Sequence, residues 1–218
     1  MKFKVVTLFP DFIKTLENYS IIGRAIKDGK ISLETQNLRD FGLGAHRQVD
    51  DRPYGGGAGM LLKVDVVAPA IEKAQKAAGK NCRVILLSPD GERLGQEKVE
   101  KLADLKEIIL VCGHYEGFDR RIEDYVDEKI SVGDFVVSGG ELPALMVIDA
   151  VSRLLPGVLG KDESSKTESF SRVGDQRALE FPQYTRPESY KGKTVPKVLL
   201  SGNHKEIEQW RKRKASSL

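Results

Sequence analysis

Three short stretches hold the residue types that could handle a small ligand. Ser88-Pro89-Asp90-Gly91 combines a hydroxyl and a carboxylate with turn-forming residues. Gly113-His114-Tyr115-Glu116-Gly117 sets an imidazole, a phenol and a carboxylate between two glycines. Ser138-Gly139-Gly140 is a small-residue turn followed by Glu141, Pro143 and an apolar-faced helix pattern over residues 142–154. A turn of glycines entering a helix exposes backbone N–H groups and lets a ligand approach the main chain. Arg153 is the lone charge near the end of the helix pattern. Each stretch also suits an ordinary strand-to-helix connection, so its place in the fold has to decide.

The elements that would carry these stretches follow from apolar spacing. Residues 4–9 (KVVTLF), 83–87, 107–112 (EIILVC), 128–132 and 135–137 read as strands. Residues 31–37 alternate as a strand with one wet face. Helices are expected after Pro10-Asp11, from an N-cap at Ser20 to a stop at Gly29, over 64–78, 96–105, 118–126 and 142–154, and over 202–214. Short apolar strands alternating with helices imply an α/β fold on a mainly parallel sheet covered on both faces. The three ligand-like stretches all follow strands, and open α/β sheets bind ligands at the carboxyl ends of their strands. Residues 39–60 have no period, and a loop that long with Pro53, Tyr54 and the cluster Gly55, Gly56, Gly57 and Gly59 reads as a shaped, functional one. Residues 161–176 are polar and aperiodic, an interdomain linker between a domain at 1–160 and a smaller one at 177–218.

Several function classes drop out. A dinucleotide fingerprint fails because Met60 stands where its last glycine belongs, and Pro187 occupies the first-glycine position of a phosphate loop ending in Gly192-Lys193-Thr194. Cys82 and Cys112 sit in apolar runs and read as reduced packing residues. They and His46, His114 and His204 lack metal-ligand spacing, so no metal site is expected. No run approaches a membrane helix or a signal peptide, which makes the cytoplasm the expected location. Residues 155–218 carry 13 Lys/Arg against 8 Asp/Glu, whereas residues 1–154 carry 22 against 24. A near-neutral body with a basic tail suits a polyanionic partner.

Residues 46–60 (HRQVDDRPYGGGAGM), 110–117 (LVCGHYEG), 131–142 (SVGDFVVSGGEL), 149–160 (DAVSRLLPGVLG) and 184–187 (YTRP) resemble the bacterial tRNA (guanine-N1)-methyltransferases, the TrmD family. The resemblance runs in order from residue 1 to about 214. It implies a SPOUT-type parallel sheet with a deep C-terminal trefoil knot, a homodimer, and S-adenosylmethionine bound in the knot. The implied substrate is tRNA, methylated at N1 of the guanine 3′ of the anticodon. Magnesium is a family expectation. Alternatives are another SPOUT RNA methyltransferase, acting on a ribose 2′-hydroxyl or a different base, and a non-catalytic RNA-binding protein on the same fold.

Carried over residue by residue, the resemblance makes Arg153 and Glu168 catalytic. Glu168 stands where relatives often have Asp, with Asp162 and Asp175 in reserve as the base. Cofactor contacts fall on Leu86, Leu87, Ser88 and Pro89, then on Gly113, Tyr115 and Glu116. They continue on Ser131, Val132, Gly133, Phe135 and Val137, and end on Gly139, Gly140 and Pro143. Substrate contacts fall on His46, Asp50, Tyr54, Gly55, Gly59 and Arg186, with Tyr115 and Glu116 shared. Ala58 replaces a frequent Pro, residues 172–180 look a few positions long, and the chain stops at Leu218, so a reduced helical C-terminal domain is expected.

Overall fold

The computed structural model describes residues 1–79, 81–160, 168–173 and 176–217. The chain divides into two units, Met1–Gly160 and Lys161–Leu218. In the first, the order is β1 (Lys2–Thr7), α1 (Pro10–Lys14), α2 (Ser20–Lys27), β2 (Ser32–Asn37), β3 (Asp50–Asp51), β4 (Leu61–Leu62), α3 (Val64–Ala77), β5 (Cys82–Arg93), α4 (Gln96–Ala103), β6 (Glu107–Cys112), β7 (Glu128–Ser131) and α5 (Glu141–Ser152). Five of these strands form one parallel sheet in the order β2-β1-β6-β5-β7.

Successive residues of a strand point to opposite faces, and both faces here are apolar. Ile85, Leu87, Ile108, Leu110 and Cys112 pack under α1, α2, α4 and α5 through Ile13, Ile22, Leu102 and Ile148. Val84, Leu86, Ile109 and Val111 pack under α3 through Val67, Ala70, Ile71 and Ala74. That two-sided burial is why β6 reads as an unbroken apolar run.

Several local expectations are corrected. Residues 135–137 form no strand: among the described residues β7 is the sheet edge with no partner beyond it, and Phe135 and Val136 are 55% and 86% exposed. The expected turn at residues 88–91 lies inside β5. Leu87 and Glu92 both pair with Ile130, so the four residues between them are extruded from the ladder. Residues 118–126 hold a 3-10 helix, Arg120–Tyr125, whose N-cap Asp119 accepts a hydrogen bond from the Arg121 N–H. Ser20 is the first residue of α2 rather than its cap, with φ at 57° and no side-chain cap bond. The helix after Pro10 lasts five residues before a 3-10 turn, Thr15–Asn18. The aperiodic stretch 39–60 is partly built, by the 3-10 turn Leu38–Phe41, a Leu43–Gln48 bridge and the β3–β4 ladder.

The second unit is mixed rather than helical. It holds β8 (Ser171–Val173), β9 (Gln176–Leu179), β10 (Ser189–Tyr190), β11 (Lys193–Thr194), α6 (Lys197–Leu200), α7 (His204–Lys214) and β12 (Ser216–Ser217). Strands β12, β9 and β8 make an antiparallel sheet, so part of the expected linker is ordered structure. Trp210 is the buried residue of α7, edge-on to Phe181 at 6.3 Å and near Tyr184 at 6.4 Å. The Arg211 guanidinium lies over Phe181 at 4.9 Å. Among the described residues no helix is long and apolar enough to cross a membrane.

Candidate ligand cavity at three strand ends

Strands β6, β5 and β7 are neighbours, and the segments leaving their carboxyl ends enclose a cavity of about 350 Å³. Its floor is apolar, with Leu86, Ile122, Ile130 and Val137. All fifteen positions expected to meet the cofactor line it, from Leu86 to Pro143, the stretches at 86–89, 113–116, 131–137 and 139–143 each contributing. The topology thus brings together segments 50 residues apart in sequence.

Each wall is held by identifiable contacts. In the extruded part of β5, Ser88 Oγ donates to Asp90 Oδ1 at 2.6 Å. Gly91 lies so close to β7 that a Cβ there would stand 2.5 Å from the Ile130 nitrogen. Lys129 Nζ bridges Asp90 Oδ2 at 2.5 Å and Glu123 Oε1 at 2.8 Å, and Arg120 reaches Glu123 at 3.1 Å. These pairs lash the extruded segment to the 3-10 helix along the cavity rim.

The loop after β6 carries Tyr115 in the left-handed region, at φ 60°. Its backbone is stitched to the glycine-rich stretch: Glu116 N–H donates to Met60 O at 3.0 Å and Leu62 N–H to Gly117 O at 2.9 Å. Gly59 is forced by this approach, since a Cβ there would lie 2.2 Å from Glu116 Cγ. The 131–140 segment crosses the same loop. Gly139 bridges His114, and Gly140 N–H donates to Gly113 O at 2.8 Å.

Hydrogen bonds from Lys129 and then Ser88 hold the Asp90 carboxyl below its ordinary 3.8, and the same partnership raises Lys129. A hydrogen bond from Arg121 likewise lowers Asp119. A depressed carboxylate contributes stability above its unfolded value and loses it as pH falls through the folded value. The rim pairs are therefore intact at neutral pH and are lost only as pH falls through folded values that lie below the ordinary carboxylate range. Lys129→Met brings Asp90 back toward its ordinary value. Amide exchange at residues 88–91, measured by mass spectrometry across an acid series, is expected to accelerate at a higher pH in the variant than in the wild type. An unchanged onset would show that Lys129 does not hold this rim.

The other expected residues lie elsewhere. His46 is exposed in the turn between Leu43 and Gln48, Asp50 is half-buried in β3, and Tyr54 and Gly55 are exposed in the glycine-rich stretch. Of that group, Gly59 touches the cavity indirectly, through Glu116. Arg153 is the C-cap of α5 and does not line the cavity; twelve helical residues set it about 18 Å along the axis from the glycine turn. Glu168 and Arg186 belong to the second unit, where the Glu168 carbonyl accepts from Ser171 N–H at 3.0 Å. Asp162 and Asp175 fall outside the described residues.

Sequence reasoning did not single out Asp119, Arg120 and Glu123 as cavity residues, because it read that segment as an ordinary helix. Both cysteines are free, and burial, followed by the charge of Glu141, pushes the Cys112 thiol well up. No group of three His, Cys, Asp or Glu among the described residues could hold a metal ion.

The floor suits a ligand with a flat apolar part. Four carboxylates, Asp90, Glu116, Asp119 and Glu123, line the cavity with Arg120, and three of them are paired with Lys129, Arg120 or Arg121. The volume and the apolar floor suit a ligand of nucleoside size.

Comparison with known proteins agrees with the motifs. A family profile described as tRNA (Guanine-1)-methyltransferase TrmD matches residues 1–217. A tRNA (guanine-N(1)-)-methyltransferase of Pseudoalteromonas translucida (strain TAC 125) is 52% identical over 208 residues, covering 95% of this chain and 80% of the relative. One from Shewanella amazonensis is 53% identical, covering 95% of this chain and 82% of the relative. The cavity-forming motifs and this agreement over nearly the whole chain lead to one conclusion: the chain belongs to the tRNA (guanine-1)-methyltransferase TrmD family.

Proposed function

We propose that this protein transfers a methyl group from S-adenosylmethionine to N1 of a guanine in tRNA, the guanine 3′ of the anticodon. The observation that carries the reading is the cavity at three adjacent strand ends, walled by the segments that the family motifs occupy. S-adenosylmethionine, when bound, supplies an electrophilic methyl group on a sulfonium. The residues at 86–89, 131–133, 137 and 139–140 would hold its adenosine by main-chain and apolar contacts, with Gly113, Phe135 and Pro143 completing the slot.

The chain's own residues would then act on the guanine. Tyr115, 45% exposed at the cavity, is available to stack on a base turned out of the anticodon loop, and Glu116 to accept hydrogen bonds from its edge. Guanine N1 is protonated at neutral pH, so Glu168 would take that proton. Arg153 would stabilise the charge that develops on O6. His46, Asp50, Tyr54, Gly55, Gly59 and Arg186 would contact the tRNA. The basic last turn of α7, Arg211 to Lys214, would meet its phosphates.

The reading includes a homodimer and a trefoil-knotted cofactor segment. Leu142 and Met146, one turn apart on α5, leave apolar surface exposed, and Arg153 lies at the far end of that helix from its own cavity. A second copy would explain both features. Sedimentation equilibrium at micromolar concentration tests it, a monomeric mass being the contrary result. Magnesium dependence is tested by chelation: loss of turnover with retained ligand binding supports it.

Methylation of an unmodified tRNA with guanine next to its anticodon, followed by mass spectrometry of the digest, is the deciding assay. N1-methylguanosine is expected. Ribose methylation would favour the alternative SPOUT activity, and no product with retained tRNA binding would favour the non-catalytic reading. Calorimetry should detect S-adenosylhomocysteine binding; no heat at millimolar ligand would remove the cofactor claim.

A further inference from the structure

Glu141 is a buried carboxylate that none of the proposed chemistry uses. It is 6% exposed and opens α5 directly after the glycine turn. Thr7, fully buried at the end of β1, donates from Oγ1 to Glu141 Oε1 at 2.6 Å. The Thr7 hydroxyl in turn accepts from the Phe9 N–H at 2.9 Å. The two residues are 134 positions apart, so this bond ties the first strand to the start of the last helix of the unit. The helix N-terminus adds favourable potential for the charge.

The other carboxylate oxygen faces the crossing of the two ligand-facing segments. A Cβ built on Gly139 would meet Glu141 Oε2 at 2.5 Å and His114 Nδ1 at 2.6 Å, so both atoms crowd one point beside that glycine. His114 Nδ1 is buried and has no hydrogen-bond partner among the described residues. Gly140, the next residue, rests on the backbone of Cys112 and Gly113. The carboxylate therefore touches, directly or through one neighbour, the end of β1, the end of β6 and the glycine turn. Beyond it, two contacts hold the crossing: the Gly140–Gly113 hydrogen bond and the His114–Gly139 bridge.

We propose that Glu141, braced by Thr7, is a positioning residue. It fixes residues 139–140 across residues 113–114, and so sets the affinity for the adenosyl ligand rather than the rate of transfer. The proposal rests on the reading that an S-adenosyl ligand occupies this cavity. Removing the Thr7 hydroxyl leaves a buried carboxylate oxygen without its donor, which displaces the turn rather than the chemistry.

The test pairs Thr7→Val, which keeps the shape and deletes the hydroxyl, with Thr7→Ser, which restores it. Calorimetry with S-adenosylhomocysteine and steady-state kinetics are run on each. Thr7→Val is expected to weaken binding and raise the donor KM by about tenfold or more, with kcat at saturating donor within about twofold of wild type. Thr7→Ser should bind within about twofold of wild type. A Thr7→Val protein that melts earlier but binds as tightly as wild type would overturn the proposal, making the pair a stability brace only. Glu141→Gln decides the matter if Thr7→Val does not fold: binding weaker by about threefold or more supports the role, and unchanged binding overturns it. Failure of the wild type to bind overturns the cofactor reading and this proposal together. Normal wild-type binding with unaffected variants overturns this proposal alone.

Discussion

Glu168→Gln is expected to lower methyl transfer by about 10²- to 10⁴-fold, the span ordinarily contributed by a positioned general base, while S-adenosylhomocysteine binds as in wild type. Glutamine keeps the length and the acceptor oxygen of the side chain but has no basic site for the guanine N1 proton. Glu168 lies in the second unit, outside the cavity-lining segments, so the substitution leaves the cofactor walls intact. The measurement is single-turnover transfer to tRNA beside a calorimetric titration. Turnover near normal would take the role from Glu168 and move the test to Asp162 and Asp175. A parallel loss of cofactor affinity would mean that Glu168 shapes the site instead of acting in it.

Gly140→Ala is expected to weaken cofactor binding by about fivefold to more than a hundredfold, the equivalent of the ~1–3 kcal/mol that an added methyl costs in a packed site. The reason is geometric. An added Cβ would sit 2.7 Å from Cys112 Cα and 2.8 Å from the Gly113 nitrogen. Those are backbone atoms at the carboxyl end of the central strand β6, not the far end of a flexible side chain that could move aside. The glycine turn must lift, breaking the Gly140–Gly113 hydrogen bond and opening the cavity wall. At Gly139 an added Cβ would instead press on side-chain atoms, Glu141 Oε2 at 2.5 Å and His114 Nδ1 at 2.6 Å. Gly95→Ala is the control, with open space around it and an ordinary φ of −109°. Equal affinities for Gly140→Ala and Gly95→Ala would show that the close approach does not shape the site.

The central strands were legible because burial on both faces leaves long apolar runs: residues 107–112 were expected as a strand and are one. Helix α3 was legible from its spacing of Val67, Ala70, Ile71 and Ala74. Residues 135–137 misled for a related reason. An apolar β-branched run has the composition of a strand, but pairing needs a neighbour, and the sheet ends at β7. Residues 88–91 carried every turn signal and are extruded, yet they remain within a strand because β7 resumes pairing at Glu92. The 3-10 helix at Arg120–Tyr125 looked like an α-helix because six residues are too few to separate the two periods.

By itself, the sequence determined which segments could meet a ligand. Glycines, an aromatic and carboxylates at strand ends are local features, and the motifs they form are specific enough to indicate a family. Only the tertiary structure decided how those segments meet. Adjacency of β6, β5 and β7 is a property of strand order, which no local pattern encodes. The bond from Thr7 to Glu141 spans 134 positions, and the rim pairs around Lys129 join three segments, so neither has a periodic signature. The place of Arg153 beyond the cavity follows from the length of α5, which turns a residue thirteen positions after the glycine turn into one about 18 Å away. Local composition records what a residue can do; long-range packing sets what stands beside it.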